Sequence, residues 1–169
     1  MATELQQLLA DCQQLQQSFS SILLSTVNEQ GQPLVSYAPY IEFSGGFYIF
    51  VSTLSEHTNN MLAKPVASAM FIEDEHSAKN LYARKRAVLQ LSVHQIDLDS
   101  EVAQAVFEQM RQKLGNTIEL LRSLADFKLL ELRPQQGRFV VGFGKAYDWD
   151  VAAGTLKHIS AEELANKKT

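Results

Sequence analysis

The sequence predicts an α+β domain, mainly β, built on an antiparallel barrel of about six strands with flanking helices. Three observations predict it. Short apolar runs alternate at a period of two and are separated by turn-forming residues. Strands and helices do not alternate in the βαβ manner that would give a parallel sheet. A helical stretch is inserted before a closing strand that ends in a glycine-punctuated turn, Gly137-Arg138-Phe139-Val140-Val141-Gly142-Phe143-Gly144-Lys145-Ala146-Tyr147. There Phe139, Val141 and Phe143 alternate with Arg138, Val140 and Gly142. The glycines permit a bend or a close approach, which suggests a ligand at the barrel rim.

The elements follow in order. Residues 3–17 read as a helix, because Leu5, Leu8, Leu9, Cys12 and Leu15 recur at spacings of three and four. Ser20 to Val27 is a strand and Asn28 to Pro33 a turn. Pro33 to Phe43 is a second strand in which Pro39 marks an edge or bulge. Ser44-Gly45-Gly46 turns the chain into a strand from Phe47 to Thr53, completing a meander. Ser55 caps a short helix that Pro65 ends. Val66 to Ile72 is a strand, and Glu73 to Ser77 a loop. Tyr82 to Ile96 is one long alternating strand. Asp99 to Lys113 and Asn116 to Leu124 are helical, with Val102, Ala105, Val106 and Met110 on one face. Phe127 to Leu132 and Arg138 to Phe143 are two further strands, joined at Pro134-Gln135-Gln136-Gly137. From Tyr147 the pattern is mixed, and Ser160 to Lys168 reads as a terminal helix.

Composition narrows the function classes. A chain of 169 residues, 46% hydrophobic, suits one compact domain rather than two. A formal charge of −4 argues against nucleic acid as the main partner. Cys12 is the only cysteine, which excludes an internal disulfide and a multi-cysteine zinc site. The amino end lacks the basic and apolar pattern of a signal peptide, and no apolar run approaches the roughly 20 residues of a membrane span. A soluble cytoplasmic protein without membrane or nucleic-acid partners is the expectation.

Several side chains suggest chemistry. On a strand from Tyr82, pleat alternation places Arg84 and Arg86 on one face and Lys85 on the other. Two guanidinium groups about 7 Å apart can grip a phosphate or a pair of carboxylates, or they can form a solvated edge that resists aggregation. His57 and Thr58 stand at a helix start near Ser52, Thr53 and Ser55, where hydroxyls and free N–H groups suit an anion or simply cap the helix. Gly142-Phe143-Gly144-Lys145 superficially resembles a phosphate loop, but the GxxxxGK[ST] spacing is missing. Of the four histidines, none is paired at metal-binding helical spacing. His158 can serve as an axial ligand to a metal cofactor or be an ordinary surface histidine. Asp126 can cap a turn or orient a histidine from another segment.

Five segments together resemble the haem-utilisation proteins of the HugZ/HutZ type, within the pyridoxamine 5′-phosphate oxidase-like, FMN-binding split-barrel superfamily. They are Val35-Ser36-Tyr37-Ala38-Pro39-Tyr40, Ser55-Glu56-His57-Thr58-Asn59-Asn60-Met61, Phe71-Ile72-Glu73-Asp74-Glu75, Ala83-Arg84-Lys85-Arg86 and the glycine-rich stretch from Gly137 to Tyr147. The resemblance covers residues 17–148. It implies a homodimeric six-stranded split barrel with two sites at the subunit interface. The positions that hold FMN in flavin-binding relatives are Ser36, Ser52, His57, Thr58, Arg84 and Arg86. Lys145, in the glycine turn, is a further candidate cofactor contact. In the haem-type branch the same region takes haem, basic residues face its propionates, and the ring is opened with oxygen and an electron donor. The iron ligand implied is His158, supported from the partner subunit by Asp126. The implied division is one domain over 1–169: an amino-terminal helix over 1–17, a barrel over 18–148 with a helical insert over 98–124, and a tail over 149–169. Three readings follow: a haem-binding protein that degrades haem, an FMN-dependent oxidoreductase, and a non-catalytic haem carrier or store.

Overall fold

A computed structural model describes residues 3–160. The chain divides into two units, one formed by residues 20–69 and 90–134, the other by residues up to 19, 70–89 and from 135 onward.

The larger unit is a sheet with a helical pair. Its strands are β1 (Ser21–Val27), β2 (Pro33–Pro39), β3 (Ile41–Phe43) and β4 (Gly46–Ser52), with parts of β5 (Val66–Ile72), β6 (Arg86–Ile96) and β7 (Phe127–Gly142). Their order is β2-β1-β5-β6-β7-β4-β3. The helices are α2 (Glu56–Ala63), α3 (Glu101–Leu114) and α4 (Thr117–Arg122). Ser44 and Gly45 both have positive φ, 51° and 80°, and form the tight two-residue turn between β3 and β4. Ser100 caps α3 by accepting the Ala103 N–H at 3.1 Å. The buried face of α3, Ala103, Val106, Phe107 and Met110, packs on Ile41, Tyr48, Phe50 and Leu129 of the sheet, with Ile118 of α4 closing the cluster. Phe50 meets Phe107 edge-on at 5.0 Å.

The expected single strand from Pro33 to Phe43 is two. β2 pairs with β1 and β3 pairs with β4, and the change of partner falls at Pro39, which has no N–H to give a ladder.

The smaller unit holds α1 (Glu4–Gln17), the ends of β5, β6 and β7, and two strands, β8 (Lys145–Asp150) and β9 (Thr155–His158), where a mixed pattern is expected from Tyr147 onward. Thr3 and Gln6 form a reciprocal capping box at the start of α1. β7, β8 and β9 pair antiparallel in sequence order. The turn at Phe143-Gly144 uses a glycine with φ 70°.

The predicted pair of strands around Pro134 is instead one strand of 16 residues. Pro134 is tolerated because β7 changes partner there: residues 127–132 pair with β4 and residues 136–142 with β8. Gly137 is required by packing rather than by a turn. A Cβ there would stand 2.7 Å from Leu89 Cδ2, 3.1 Å from Trp149 Cε3 and 3.2 Å from the Val88 carbonyl. A bulge between Val140 and Gly142 breaks the expected alternation, so Phe139 is buried while Phe143 is 82% exposed.

Among the described residues the sheet has nine strands rather than six, and the mainly antiparallel α+β class stands. Among the described residues no helix is long and apolar enough to cross a membrane. The helix expected over 160–168 lies, but for its first residue, outside the described residues.

Candidate functional site

Five of the candidate side chains belong to the larger unit: Ser36, Ser52, His57, Thr58 and Asp126. Two of them meet directly. β4 ends at Ser52, whose ladder partner is Phe127, so Asp126 arrives beside it at the start of β7. The Ser52 hydroxyl donates a short hydrogen bond to Asp126 Oδ2. It also accepts the Leu54 N–H at 3.0 Å. The Thr53 N–H donates to the Asp126 carbonyl at 2.9 Å and fixes the backbone at the same point. Asp126 therefore orients no histidine within the chain as described.

α2 begins immediately after. Ser55 is its N-cap residue, as expected, yet its side chain makes no capping bond, which leaves the Glu56 and His57 N–H groups uncapped, while the Thr58 N–H donates to the Ser55 carbonyl at 3.1 Å. Asn60 bonds the Thr26 hydroxyl of β1 at 3.1 Å, placing α2 over the face of β1 that carries Leu24 and Thr26. Ser36 is the ladder partner of Leu24 and shares that face. Ser36 Oγ, His57 Nε2 and Thr58 Oγ1 are buried without a hydrogen-bond partner. Each such atom costs about 1–3 kcal/mol until something satisfies it. Burial lowers the pKa of His57 below its ordinary value, which favours the neutral ring at neutral pH. Thr58 is wholly enclosed at 0% exposure, whereas Ser36 and His57 are only half-buried residues.

The smaller unit carries Arg84, Arg86, Lys145 and His158. The shared strand face expected for the two arginines does not form. Asn80 caps a 3₁₀ turn over Leu81–Ala83, and β6 starts only at Arg86. The Arg84 guanidinium is consumed by its own loop. Nε, at 3.0 Å, and Nη2 both donate to the Glu73 carbonyl, and Nη1 lies 3.2 Å from Glu75 Oε1. The Glu73 N–H donates to the Lys85 carbonyl at 2.9 Å, and the Glu73 carboxylate accepts the Lys85 N–H at 2.7 Å. Among the described residues, Arg86 donates Nη1 to the Arg84 carbonyl at 3.0 Å. Lys145 is exposed at the start of β8.

His158, on β9, donates Nε2–H to the Gly144 carbonyl at 3.1 Å, the only sense possible toward a carbonyl. Its neutral ring then carries its lone pair on Nδ1. The ring meets Tyr147 edge-on at 5.2 Å.

Sequence reasoning missed the Ser52–Asp126 pair and the Glu73 clasp on Arg84. It also missed a groove of about 550 Å³ on β7, β8 and β9, lined by Arg138, Asp148, Trp149, Asp150, Thr155 and Lys157. The alternation of Tyr147 and Trp149 with Asp148 and Asp150 was the signal for β8. Arg138 and Asp148 are ladder partners bonded at 2.8 Å, so that pair neutralises itself.

Comparisons with known proteins bear on this arrangement. Residues 8–141 match the family model described as pyridoxamine 5′-phosphate oxidase. The chain is 39% identical over 137 residues to the haem oxygenase HutZ of Vibrio cholerae serotype O1, covering 81% of this chain and 78% of that protein. The crystal structure of HutZ, described as a haem storage protein from Vibrio cholerae, matches with a TM-score of 0.73 at 37% identity, over 79% of this chain and 96% of the other. The crystal structure of Campylobacter jejuni ChuZ matches with a TM-score of 0.84 at 31% identity, over 95% of this chain and 65% of the other.

Proposed function

The chain belongs to the pyridoxamine 5′-phosphate oxidase family, in its HutZ-type haem-utilisation branch, and from that premise we propose that it binds haem at a homodimer interface and degrades it oxidatively. The observation that carries the proposal is the 39% identity with a haem oxygenase over 81% of the chain. Each of the two units carries donors suited to part of a planar dianionic ligand. Ser36 and His57 present a hydroxyl and a neutral imidazole that lack partners, beside the open start of α2. Arg86 and Lys145 supply cations for the propionates. Arg84 is the weaker candidate, because each of its three nitrogens already holds a bond within its own loop.

His158 is the proposed iron ligand. The Gly144 carbonyl already selects a tautomer with one nitrogen free. In the dimer the partner subunit's Asp126, a charged acceptor, replaces that carbonyl and strengthens the hold on the ring. Haem with oxygen and an electron donor supplies the ring-opening chemistry. The chain binds, orients and holds the imidazole proton.

FMN is the second reading. The family match and the open start of α2 suit its phosphate as well. A haem carrier would use the same residues without turnover.

The test is His158→Ala. The Soret shift on adding haem to the wild type should be lost in the variant, and an unchanged spectrum would remove His158 from the iron. Loss of the Soret band on adding reductant and oxygen separates degradation from storage; a band that persists supports the carrier.

A further inference from the structure

We propose that Ser52 is a positioning residue: its hydroxyl locks one oxygen of the Asp126 carboxylate and leaves the other to receive an imidazole N–H from a second copy of the chain. The proposal rests on the haem-ligation reading above.

Ser52 and Asp126 hang from the closed end of one ladder, where Ser52 opposes Phe127 and the Thr53 N–H holds the Asp126 carbonyl at 2.9 Å. Neither backbone is free to drift. The hydroxyl is committed in both senses, giving its single proton to Oδ2 and receiving the Leu54 N–H. Its proton is therefore already committed, whereas the resemblance implies that Ser52 helps to hold FMN.

Asp126 is used unlike other aspartates of the chain. Asp74, Asp97 and Asp150 accept backbone N–H groups of the turns they begin, and Asp148 pairs with Arg138. Asp126 accepts a side chain 74 positions away, and its carboxylate has no other partner among the described residues. An aspartate that only closed a turn would need no such clamp. A carboxylate rotates about its last side-chain bond with a broad, roughly two-fold profile. Tying down Oδ2 breaks that equivalence and sets the direction in which Oδ1 can accept. Partners that orient a metal-bound histidine are themselves held by hydrogen bonds, and losing such support costs about 10-fold or more in affinity or activity.

The experiment compares the wild type with Ser52→Ala, Ser52→Thr and Asp126→Asn, each loaded with haem. The iron–imidazole stretching band of the ferrous protein is read by resonance Raman, beside turnover with reductant and oxygen. In Ser52→Ala the band should move toward its position in Asp126→Asn, and turnover should fall about 10-fold. Ser52→Thr keeps the hydroxyl and should restore both. If Ser52→Ala does not fold, Ser52→Cys, a weak donor of similar size, should show an intermediate band. A band at the wild-type position in Ser52→Ala or Ser52→Cys, while Asp126→Asn shifts it, reduces Ser52 to a structural contact and overturns the proposal. A wild type with no iron–imidazole band, or an Asp126→Asn protein with an unmoved one, instead defeats the ligation reading on which the proposal stands.

Discussion

The start of α2 and the loop over residues 73–86 both have the composition of an anion site, and their polar groups are treated in opposite ways. At α2, Ser36 Oγ, His57 Nε2 and Thr58 Oγ1 are buried with nothing to bond. In the loop, the Arg84 fork is filled by the Glu73 carbonyl and Glu75, and the Glu73 carboxylate by the Lys85 N–H. The cation-rich segment, the louder signal in sequence, spends its strongest donor on folding its own loop. The quieter Ser/His/Thr positions carry the unmet hydrogen-bonding capacity. A buried polar group without a partner costs stability, so where several cluster, a ligand or ordered water accounts for them better than the fold does.

The sharpest way to break this contrast is to exchange the arginines. Arg84→Ala should destabilise the apo protein by about 2 kcal/mol, the scale of hydrogen bonds from a charged donor, and leave haem affinity within about twofold. Arg86→Ala should do the reverse, weakening haem binding by about 10-fold with little change in unfolding, as expected for one lost charged contact. Denaturant unfolding and haem titration of both variants decide it. Equal loss of affinity in the two would return Arg84 to the ligand.

A smaller effect is expected at Thr58. Its hydroxyl is enclosed and unbonded, so Thr58→Val should raise apo stability by up to about 1 kcal/mol, because the swap removes an unsatisfied group at nearly constant shape. A valine that destabilises the protein would mean that the hydroxyl has a partner, such as a buried water.

The smallest effect lies in pH. Burial holds the folded His57 below its ordinary value of 6.5, so the unfolded chain takes up the proton first as pH falls. Stability from this residue is complete above the unfolded value and declines as pH drops through it toward the folded value. Unfolding measured from about pH 8 to about pH 5 should show that decline in the wild type, and His57→Gln should flatten it. An identical slope in both proteins would assign the pH dependence elsewhere.

The sequence was most legible where one face of a strand is buried. β6 shows Ala87, Leu89, Leu91 and Val93 inward at every second position, as its alternation required. It was least legible where a strand changes partner. Pro39 ends one ladder and Pro134 sits between two, yet β2 stops while β7 continues, and composition alone does not distinguish the two cases. The Arg84–Arg86 face failed because Asn80 caps a turn just upstream, a local competition that side-chain periodicity does not register. Of the site, the α2 start was readable from its Ser, His and Thr content. The Ser52–Asp126 bond was not, because only strand pairing brings residues so distant in the chain together.

The most direct measurement is a parallel titration of the purified protein with haem and with FMN, followed by absorbance. A Soret band that saturates at one haem per chain, two per dimer, with no uptake of FMN at micromolar concentration, is the expected result. Saturable FMN binding with no Soret response, or no uptake of either ligand, would contradict a haem-binding role.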